Sequence, residues 1–216
     1  MDNIVQTIAI YALPVIFAIT LHEAAHGYVA KHFGDLTAYA QGRVSLNPIR
    51  HIDPIGTILL PLVTLLLGGI LFGWAKPVPV NFSALRRPKQ DMLWVALAGP
   101  GANLFMALLW GFAIKLGLAM SESDLSQPMI LMGEAGIKIN IVLMVLNLLP
   151  LPPLDGGRIA VSLLPLRMAE NFSRIEPYGF MILLLLLITG VLGAMIGPFI
   201  SMGIRMVAWV FGLGAG

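Results

Sequence analysis

The chain has 216 residues, of which 58% are hydrophobic and only 11% are charged. Soluble domains are about half apolar and about one quarter charged, so this composition excludes an ordinary water-soluble domain and indicates an integral membrane protein. The formal net charge of +2 comes from Lys and Arg that cluster between the apolar runs, which indicates membrane topology rather than a nucleic-acid partner. There is no cysteine, which excludes disulfides and thiolate metal sites.

The first apolar run predicts one long helix over residues 4–30, ended by Gly34 and Asp35. It lacks the basic start and the cleavage site of a signal peptide, so we expect it to be retained. The next segment, residues 37–51, alternates loosely and is rich in β-forming residues. This pattern predicts a small membrane-associated β-hairpin.

Further apolar runs lie at residues 55–71, 92–118, 132–149, 178–194 and 198–211, and the last of these opens after the helix breaker Gly197-Pro198. The predicted fold is an all-α polytopic membrane protein with about five to six transmembrane helices, the small β-hairpin and one re-entrant segment. The polar stretches between the runs have the size of loops. We therefore expect residues 1–216 to form a single integral membrane domain without a PDZ or cytosolic regulatory domain.

A candidate metal site lies near the C-terminal end of the first predicted helix. In the stretch "LHEAAH", His22 and His26 lie four residues apart, so both imidazoles project from one helix face at adjacent turns. Glu23 is offset by about 100°, within reach of a metal-bound water, as a general base must be. Ionisable groups are costly at membrane depth, so three together favour a metal over polar groups that merely join helices. Zinc suits imidazole, and a catalytic zinc site takes three protein ligands, so one more is needed.

Asp155 is the candidate third ligand. In "NLLPLPPLDGG" it follows an apolar helix and a Pro-rich stretch that breaks the helix, and two glycines after it let the backbone turn or approach closely. An Asp-Gly pair alone is typical of an ordinary turn. Its occurrence together with HEAAH in one membrane chain makes the metal interpretation much more specific.

With these motifs the sequence resembles the site-2 protease family of intramembrane zinc metalloproteases, in its compact bacterial and archaeal form. "NLLPLPPLDGG" is similar to the family's NxxPxxxxDG motif, "LAGPGANL" (97–104) to its Gly-Pro-containing core helix, and "GWAKPVPVN" (73–81) to a motif of the compact members. The resemblance implies that His22, His26 and Asp155 hold one zinc ion per chain and that Glu23 activates water. It also implies that Asn147 binds the substrate or stabilises the developing oxyanion.

Three asparagines lie in apolar helices. A donor near zinc is what a tetrahedral intermediate needs, so a catalytic Asn147 has physical sense, although an Asn that hydrogen-bonds across a helix pair would give the same pattern. Asn103, close to Gly99, could support a metal ligand rather than bind the metal. It could equally be a helix-packing polar group, and so could Asn140.

A shared zinc site constrains the topology, because HEAAH and Asp155 must lie at one membrane depth and an even number of crossings must separate them. Three apolar runs lie between them. The run at residues 55–71 is interrupted by Pro61, Gly68 and Gly69, and we expect it to be the re-entrant one. With the N-terminus outside, ten of the thirteen basic residues are then cytoplasmic, in agreement with the positive-inside tendency. These are Lys31, Arg43, Arg50, Lys76, Arg86, Arg87, Lys89, Arg158, Arg167 and Arg174.

The sequence thus indicates a multi-pass protein of the cell membrane, with its active site toward the cytoplasmic side, that hydrolyses peptide bonds within transmembrane segments of other membrane proteins. The expected partners are a transmembrane-helix substrate, which the predicted hairpin would hold by strand addition, and the lipid bilayer, with no nucleic acid. One alternative is a non-proteolytic membrane zinc-binding or transport protein of the same fold, although a transporter would carry more than four histidines along its path. Another is an assembly subunit whose polar groups only join helices. Substrate identity and oligomeric state are not predicted.

Overall fold

The computed structural model describes residues 2–59 and 76–213, and no β-strand occurs within these ranges. The α-helices described are α1 (Asp2–His32), α2 (Thr37–Ala40), α3 (Pro88–Ala119), α4 (Ser126–Asn147), α5 (Asp155–Leu163), α6 (Leu166–Ser173), α7 (Glu176–Ile188) and α8 (Val191–Val210). Two 3-10 helices, Pro48–His51 and Phe82–Ala84, and a π-helix, Pro54–Leu59, lie in the connections.

The predicted first helix is confirmed as α1, and it ends where expected. Gly34 has a φ of +107°, in the left-handed region that glycine enters most readily and that commonly ends helices. The buried carboxylate of Asp35 accepts hydrogen bonds from the backbone N–H groups of Thr37 (2.9 Å) and Asn81 (2.7 Å). The end of α1 is therefore fastened both to α2 and to the segment that precedes α3.

Four of the described helices are long and apolar enough to span a membrane: α1 from Val5, α3, α4 and α8. Helices α6 and α7 are together also long and apolar enough, although the chain bends by 61° between them. The described residues therefore contain four candidate membrane spans, or five if this bent pair is one span. An all-helical membrane protein is confirmed. The expected count of about five to six spans stays a prediction.

Helix α3 is the centre of the bundle, because it packs against α1, α4, α5 and α8. It begins at Pro88, where a missing N–H costs nothing, and the carboxylate of Asp91 accepts the backbone N–H of Arg87 at 2.7 Å. One apolar core joins α3, α4 and α8 through Ala107, Ile114, Ile137, Ile141 and Val207. This arrangement brings the middle of α3 against the HEAAH end of α1.

The predicted β-hairpin at residues 37–51 is wrong. Its first residues form α2 and its last form the 3-10 helix Pro48–His51, with turns and bends between them. The side chain of Asn47 accepts the N–H of Ile49, and the guanidinium of Arg43 donates to the carbonyls of Arg50 and Lys76. Side chains thus take up the backbone groups that a hairpin ladder would have paired, which sequence alternation alone does not reveal.

The break between the last two apolar helices lies earlier than predicted. Gly190, with a φ of +75°, separates α7 from α8, whereas Pro198 lies inside α8. Prolines are tolerated within membrane helices, because neighbouring groups satisfy the backbone they disturb. A left-handed glycine is therefore the stronger break in this segment.

Most of the apolar run at residues 55–71, predicted to be re-entrant, lies outside the described residues. Only its beginning belongs to the described π-helix Pro54–Leu59. The motif at residues 73–81 is described from Lys76 onward.

Candidate active site

Three side chains predicted as metal ligands meet in the bundle. His22 and His26 lie one turn apart on α1, and Asp155 is the first residue of α5. The Oδ2 atom of Asp155 lies 3.2 Å from Nε2 of His22 and 3.3 Å from Nε2 of His26, while the two Nε2 atoms are 3.1 Å apart. All three residues are buried.

Asp155 owes its position to a tightly folded connection between α4 and α5. A Cβ atom on Gly156 would lie 2.3 Å from the carbonyl oxygens of Leu148 and Leu149, so only a glycine lets the chain fold back this closely. On the other side, Gly179 of α7 meets the same connection, and a Cβ there would lie 1.7 Å from the carbonyl oxygen of Pro152. The glycines and prolines of the motif thus set the start of α5 against α1.

Helix α3 leaves space in front of the histidines at Gly99. A Cβ atom at this position would lie 2.4 Å from Nε2 of His26 and 2.6 Å from Nε2 of His22. Both distances are shorter than any normal van der Waals contact. The absence of a side chain at Gly99 therefore keeps the Nε2 edges of both imidazoles, which are predicted to bind the metal, clear.

The arrangement fits a metal ion. Nδ1 of His26 lies 2.7 Å from the carbonyl oxygen of Val95, which can only accept, so Nδ1 donates, and in the neutral imidazole Nε2 carries the lone pair. Oδ2 of Asp155 is buried, and among the described residues it makes no hydrogen bond of normal geometry, although both Nε2 atoms lie within 3.3 Å of it. In a tetrahedral zinc site with bonds of about 2.0–2.1 Å, ligand atoms lie about 3.3 Å apart. The two Nε2 atoms and Oδ2 have this spacing and this donor chemistry.

Glu23 lies on the adjacent face of α1 and is partly buried. Its Oε2 atom accepts the backbone N–H of Val78 at 2.7 Å. One turn further along α1, a Cβ on Gly27 would lie 3.1 Å from the side chain of Val44 and 3.3 Å from that of Val78. The loops around residues 44 and 78 therefore cover the face of α1 that carries Glu23. Sequence reasoning missed the Val78 contact, because a backbone N–H leaves no signal in the residue pattern.

The three asparagines differ in their surroundings. The amide nitrogen of Asn147 donates to the carbonyl of Leu143 in its own helix at 3.0 Å, and this is the hydrogen bond that its side chain makes among the described residues. Oδ1 of Asn103 lies 2.6 Å from Nδ1 of His22, and its amide nitrogen donates to Asn140 at 3.0 Å. The structure thus brings Asn103, and not Asn147, into contact with a predicted metal ligand.

Comparison of the sequence with protein-family models and with known proteins agrees with these motifs. Residues 117–190, which include Asn147 and Asp155, match the family model "Peptidase family M50". The relative named "Putative zinc metalloprotease YwhC" from Bacillus subtilis (strain 168) is 40% identical over 198 residues, which cover 88% of this chain and 85% of the relative. The chain belongs to peptidase family M50, the site-2 protease family that its motifs resemble.

Further relatives, from two mycobacterial species, carry the name "Putative zinc metalloprotease Rip2". The one from Mycolicibacterium smegmatis (strain ATCC 700084 / mc(2)155) is 33% identical over 177 residues, 81% of this chain and 64% of the relative. The one from Mycobacterium tuberculosis (strain ATCC 25618 / H37Rv) is 35% identical over 144 residues, 64% of this chain and 51% of the relative. The matches thus span between half and two thirds of the Rip2 chains. No solved structure gives a significant match.

Proposed function

We propose that His22, His26 and Asp155 hold the zinc ion of this membrane metalloprotease and that Glu23 is its general base. Membership of a peptidase family and the names of the relatives make the protein an intramembrane zinc metalloprotease, which cleaves peptide bonds within transmembrane segments of other membrane proteins. The observation that carries the assignment of residues is the convergence of two Nε2 atoms and one carboxylate oxygen at 3.1–3.3 Å. Membership of a peptidase family and the names of the relatives support proteolysis over the alternative of a non-proteolytic zinc-binding or transport protein.

The chemistry follows from this set of groups. A bound zinc ion supplies a Lewis acid that lets water lose a proton near neutral pH and polarises the scissile carbonyl. Glu23, one residue after the first histidine ligand, accepts the proton of the attacking water and returns it to the leaving amine. The hydrogen bond from the N–H of Val78 restrains one oxygen of this carboxylate and leaves the other for proton transfer.

Asn147 is the candidate group that contacts the substrate. It is the last residue of α4, and the short connection to α5 links it to Asp155. Its amide donates to Leu143 within its own helix, a bond worth only about 0.5–1.5 kcal/mol net, which a substrate carbonyl could replace. In this role the amide would donate to the developing oxyanion.

The topology with a re-entrant segment is part of the proposal. The backbone N–H of Lys76 donates to the carbonyl of His51 at 3.0 Å, and the guanidinium of Arg43 donates to the carbonyl of Lys76 at 2.8 Å. His51 and Lys76 therefore lie side by side, although the stretch of sequence between them is long enough to cross a bilayer once as a helix. A segment that leaves and returns at one place crosses an even number of times.

The other crossings agree with an even count. Between HEAAH and Asp155 the described residues contain two long apolar helices, α3 and α4. This parity supports an active site at one membrane depth. With the basic loops inside, that depth lies toward the cytoplasmic side of the cell membrane. The whole of residues 1–216 would then serve as one membrane-embedded protease domain.

The proposal is tested by reconstituting the purified protein in lipid vesicles with a tagged model transmembrane helix. We expect wild type to cleave the helix, and Glu23→Gln to retain one zinc per chain but to lose cleavage. A chelator should abolish wild-type cleavage, and added zinc should restore it. The matched control is Glu134→Gln, the same change at an exposed position of α4, which should cleave like wild type. Undiminished cleavage by Glu23→Gln would refute the role of Glu23.

A further inference from the structure

Two completely buried asparagines lie behind the metal-binding histidines. Asn103 on α3 and Asn140 on α4 are both 0% exposed, so each amide must find its hydrogen-bond partners inside the protein. Asn103 contacts the ring of His22, and Asn140 contacts Asn103. Neither residue belongs to the group of three that could hold a metal ion.

The side chains of Asn140, Asn103 and His22 are hydrogen-bonded in series, and two backbone carbonyls fix the direction of each bond. The carbonyl of Gly136 can only accept, and it lies 2.8 Å from the side chain of Asn140, which must therefore present its NH₂ group there. The Oδ1 atom of Asn140 then faces Asn103 and accepts the NH₂ group of Asn103 at 3.0 Å. The carbonyl of Ala18, 3.3 Å from the same NH₂ group, requires the same orientation.

The orientation of Asn103 determines which ring nitrogen of His22 carries the proton. Because the NH₂ group of Asn103 is committed to two acceptors, its Oδ1 atom is the one that lies 2.6 Å from Nδ1 of His22. An amide oxygen cannot donate, so Nδ1 carries a proton. In the neutral imidazole, the form that binds a metal, Nε2 faces His26 and Asp155 and carries the lone pair.

We propose that Asn103 and Asn140 form a positioning relay that holds His22 in the tautomer and ring orientation needed to bind zinc. The relay rests on the proposed assignment of His22 as a zinc ligand. His26 obtains the same tautomer from one backbone carbonyl, that of Val95, which no side-chain substitution removes. His22 instead depends on side chains of α3 and α4, so two further helices contribute to the affinity for the metal.

A relay and simple helix packing make different predictions. If Asn103 only joined helices, its loss would lower the stability of the fold and leave the metal affinity of the folded protein unchanged. Removal of a group that orients a metal-binding histidine typically weakens metal binding by about 10- to 100-fold. Zinc affinity therefore distinguishes the two roles without any measurement of proteolysis.

The experiment measures the zinc dissociation constant of the full-length protein in detergent by competition with a chelator. We expect Asn103→Leu, which has a similar shape but no acceptor, to bind zinc about 10- to 100-fold more weakly than wild type. Asn103→Asp retains an oxygen toward Nδ1 of His22 but loses the NH₂ group that donates to Asn140 and to the carbonyl of Ala18, so it should recover only part of the affinity lost in Asn103→Leu. An Asn103→Leu protein that is folded and binds zinc like wild type would overturn the relay.

The matched control is Ile114→Ala on the same helix. Ile114 is only 6% exposed and packs in the apolar core that joins α3, α4 and α8, so the substitution also removes buried volume, but it leaves the partners of His22 and His26 in place. We expect it to lower the stability and to leave the zinc affinity near that of wild type. If Ile114→Ala weakened zinc binding as strongly as Asn103→Leu, general loosening of the helix would explain both and the relay would be refuted.

Two further measurements test the relay even if the Asn103→Leu protein does not fold. Asn140→Ala removes the acceptor that orients Asn103 and should weaken zinc binding less than Asn103→Leu does, but measurably; unchanged affinity contradicts the relay. In wild type, nitrogen NMR of the zinc-bound protein, which has only four histidines, should find His22 protonated at Nδ1. Metal bound at Nδ1 of His22 would exclude the relay.

The outcomes separate this inference from the proposed function. Glu23→Gln should bind zinc like wild type and fail to cleave. If Glu23→Gln cleaved normally while Asn103→Leu lost zinc affinity, the proposed general base would fail and the relay would stand. If Asn103→Leu kept its zinc affinity while Glu23→Gln was inactive, the relay would fail and the proposed function would stand.

Discussion

A Cβ atom at Gly99 would lie 2.4 Å from Nε2 of His26, so the Nε2 edge of this histidine, the proposed metal-binding edge, faces a position of α3 that has no side chain. The same Cβ would lie 2.6 Å from Nε2 of His22. The site is therefore bounded on three sides, by the two histidines of α1, by Asp155 of α5 and by the bare backbone of α3.

The first prediction concerns Gly99→Ala. The added methyl group would occupy the space beside both Nε2 atoms, so we expect a loss of zinc binding together with a loss of cleavage, at a stability cost of about 1–3 kcal/mol for overpacking. Gly101→Ala is the matched control on the same helix, because no atom of the described residues lies within 4 Å of a Cβ there. Zinc content and cleavage are measured for both variants, and a fully loaded, active Gly99→Ala protein would contradict this description of the site.

A second prediction concerns the contact between Val78 and Glu23. Val78 lies between Pro77 and Pro79, so its N–H is the one donor of that three-residue stretch. Val78→Pro removes a hydrogen bond to a charged carboxylate, worth about 1.5–3 kcal/mol, and we expect kcat to fall about 10- to 100-fold with zinc content unchanged.

The control for Val78 is the conservative change Val78→Ala, which keeps the N–H but shortens the side chain that packs near Gly27. We expect its kcat to stay close to that of wild type. Equal losses of kcat in Val78→Pro and Val78→Ala would assign the effect to side-chain packing and not to the hydrogen bond with Glu23.

A third prediction concerns Gly179 of α7. A Cβ there would lie 1.7 Å from the carbonyl oxygen of Pro152, so Gly179→Ala must push the connection before Asp155 away from α7. We expect weaker zinc binding in Gly179→Ala, measured by chelator competition. Gly193→Ala on the neighbouring α8 places its Cβ more than 4 Å from every atom in the part of the chain that the structure describes, and this variant should bind zinc normally. Normal zinc affinity in both variants would show that Asp155 does not depend on this contact.

A fourth prediction tests the topology. The chain has no cysteine, so single cysteines can be labelled from either side of sealed vesicles. We expect Ile49→Cys and Lys76→Cys to react from the same side, because the backbones of His51 and Lys76 are hydrogen-bonded to each other, and Glu122→Cys to react from the opposite side. Labelling of the first two from opposite faces would rule out the re-entrant arrangement.

The sequence by itself determined the features that depend on local physics. Apolar length places α1, α3 and α4 because a helix must cover the hydrocarbon core with nonpolar side chains, and this requirement acts residue by residue. The four-residue spacing of His22 and His26 fixes their common face for the same local reason. The motif around Asp155 and the family resemblance predict that it is the third metal ligand, and the fold places its carboxylate beside the two histidines.

Only the tertiary structure decided the features that depend on distant partners. Residues 37–51 have a β-like pattern but fold as short helices and turns, because side chains such as Arg43 bind backbone groups of another loop. The partners of His22, His26 and Glu23, which are Asn103, the carbonyl of Val95 and the N–H of Val78, come from elements far away in the chain. Two of these are backbone groups common to almost every residue type, so packing selects them and no residue pattern can identify them.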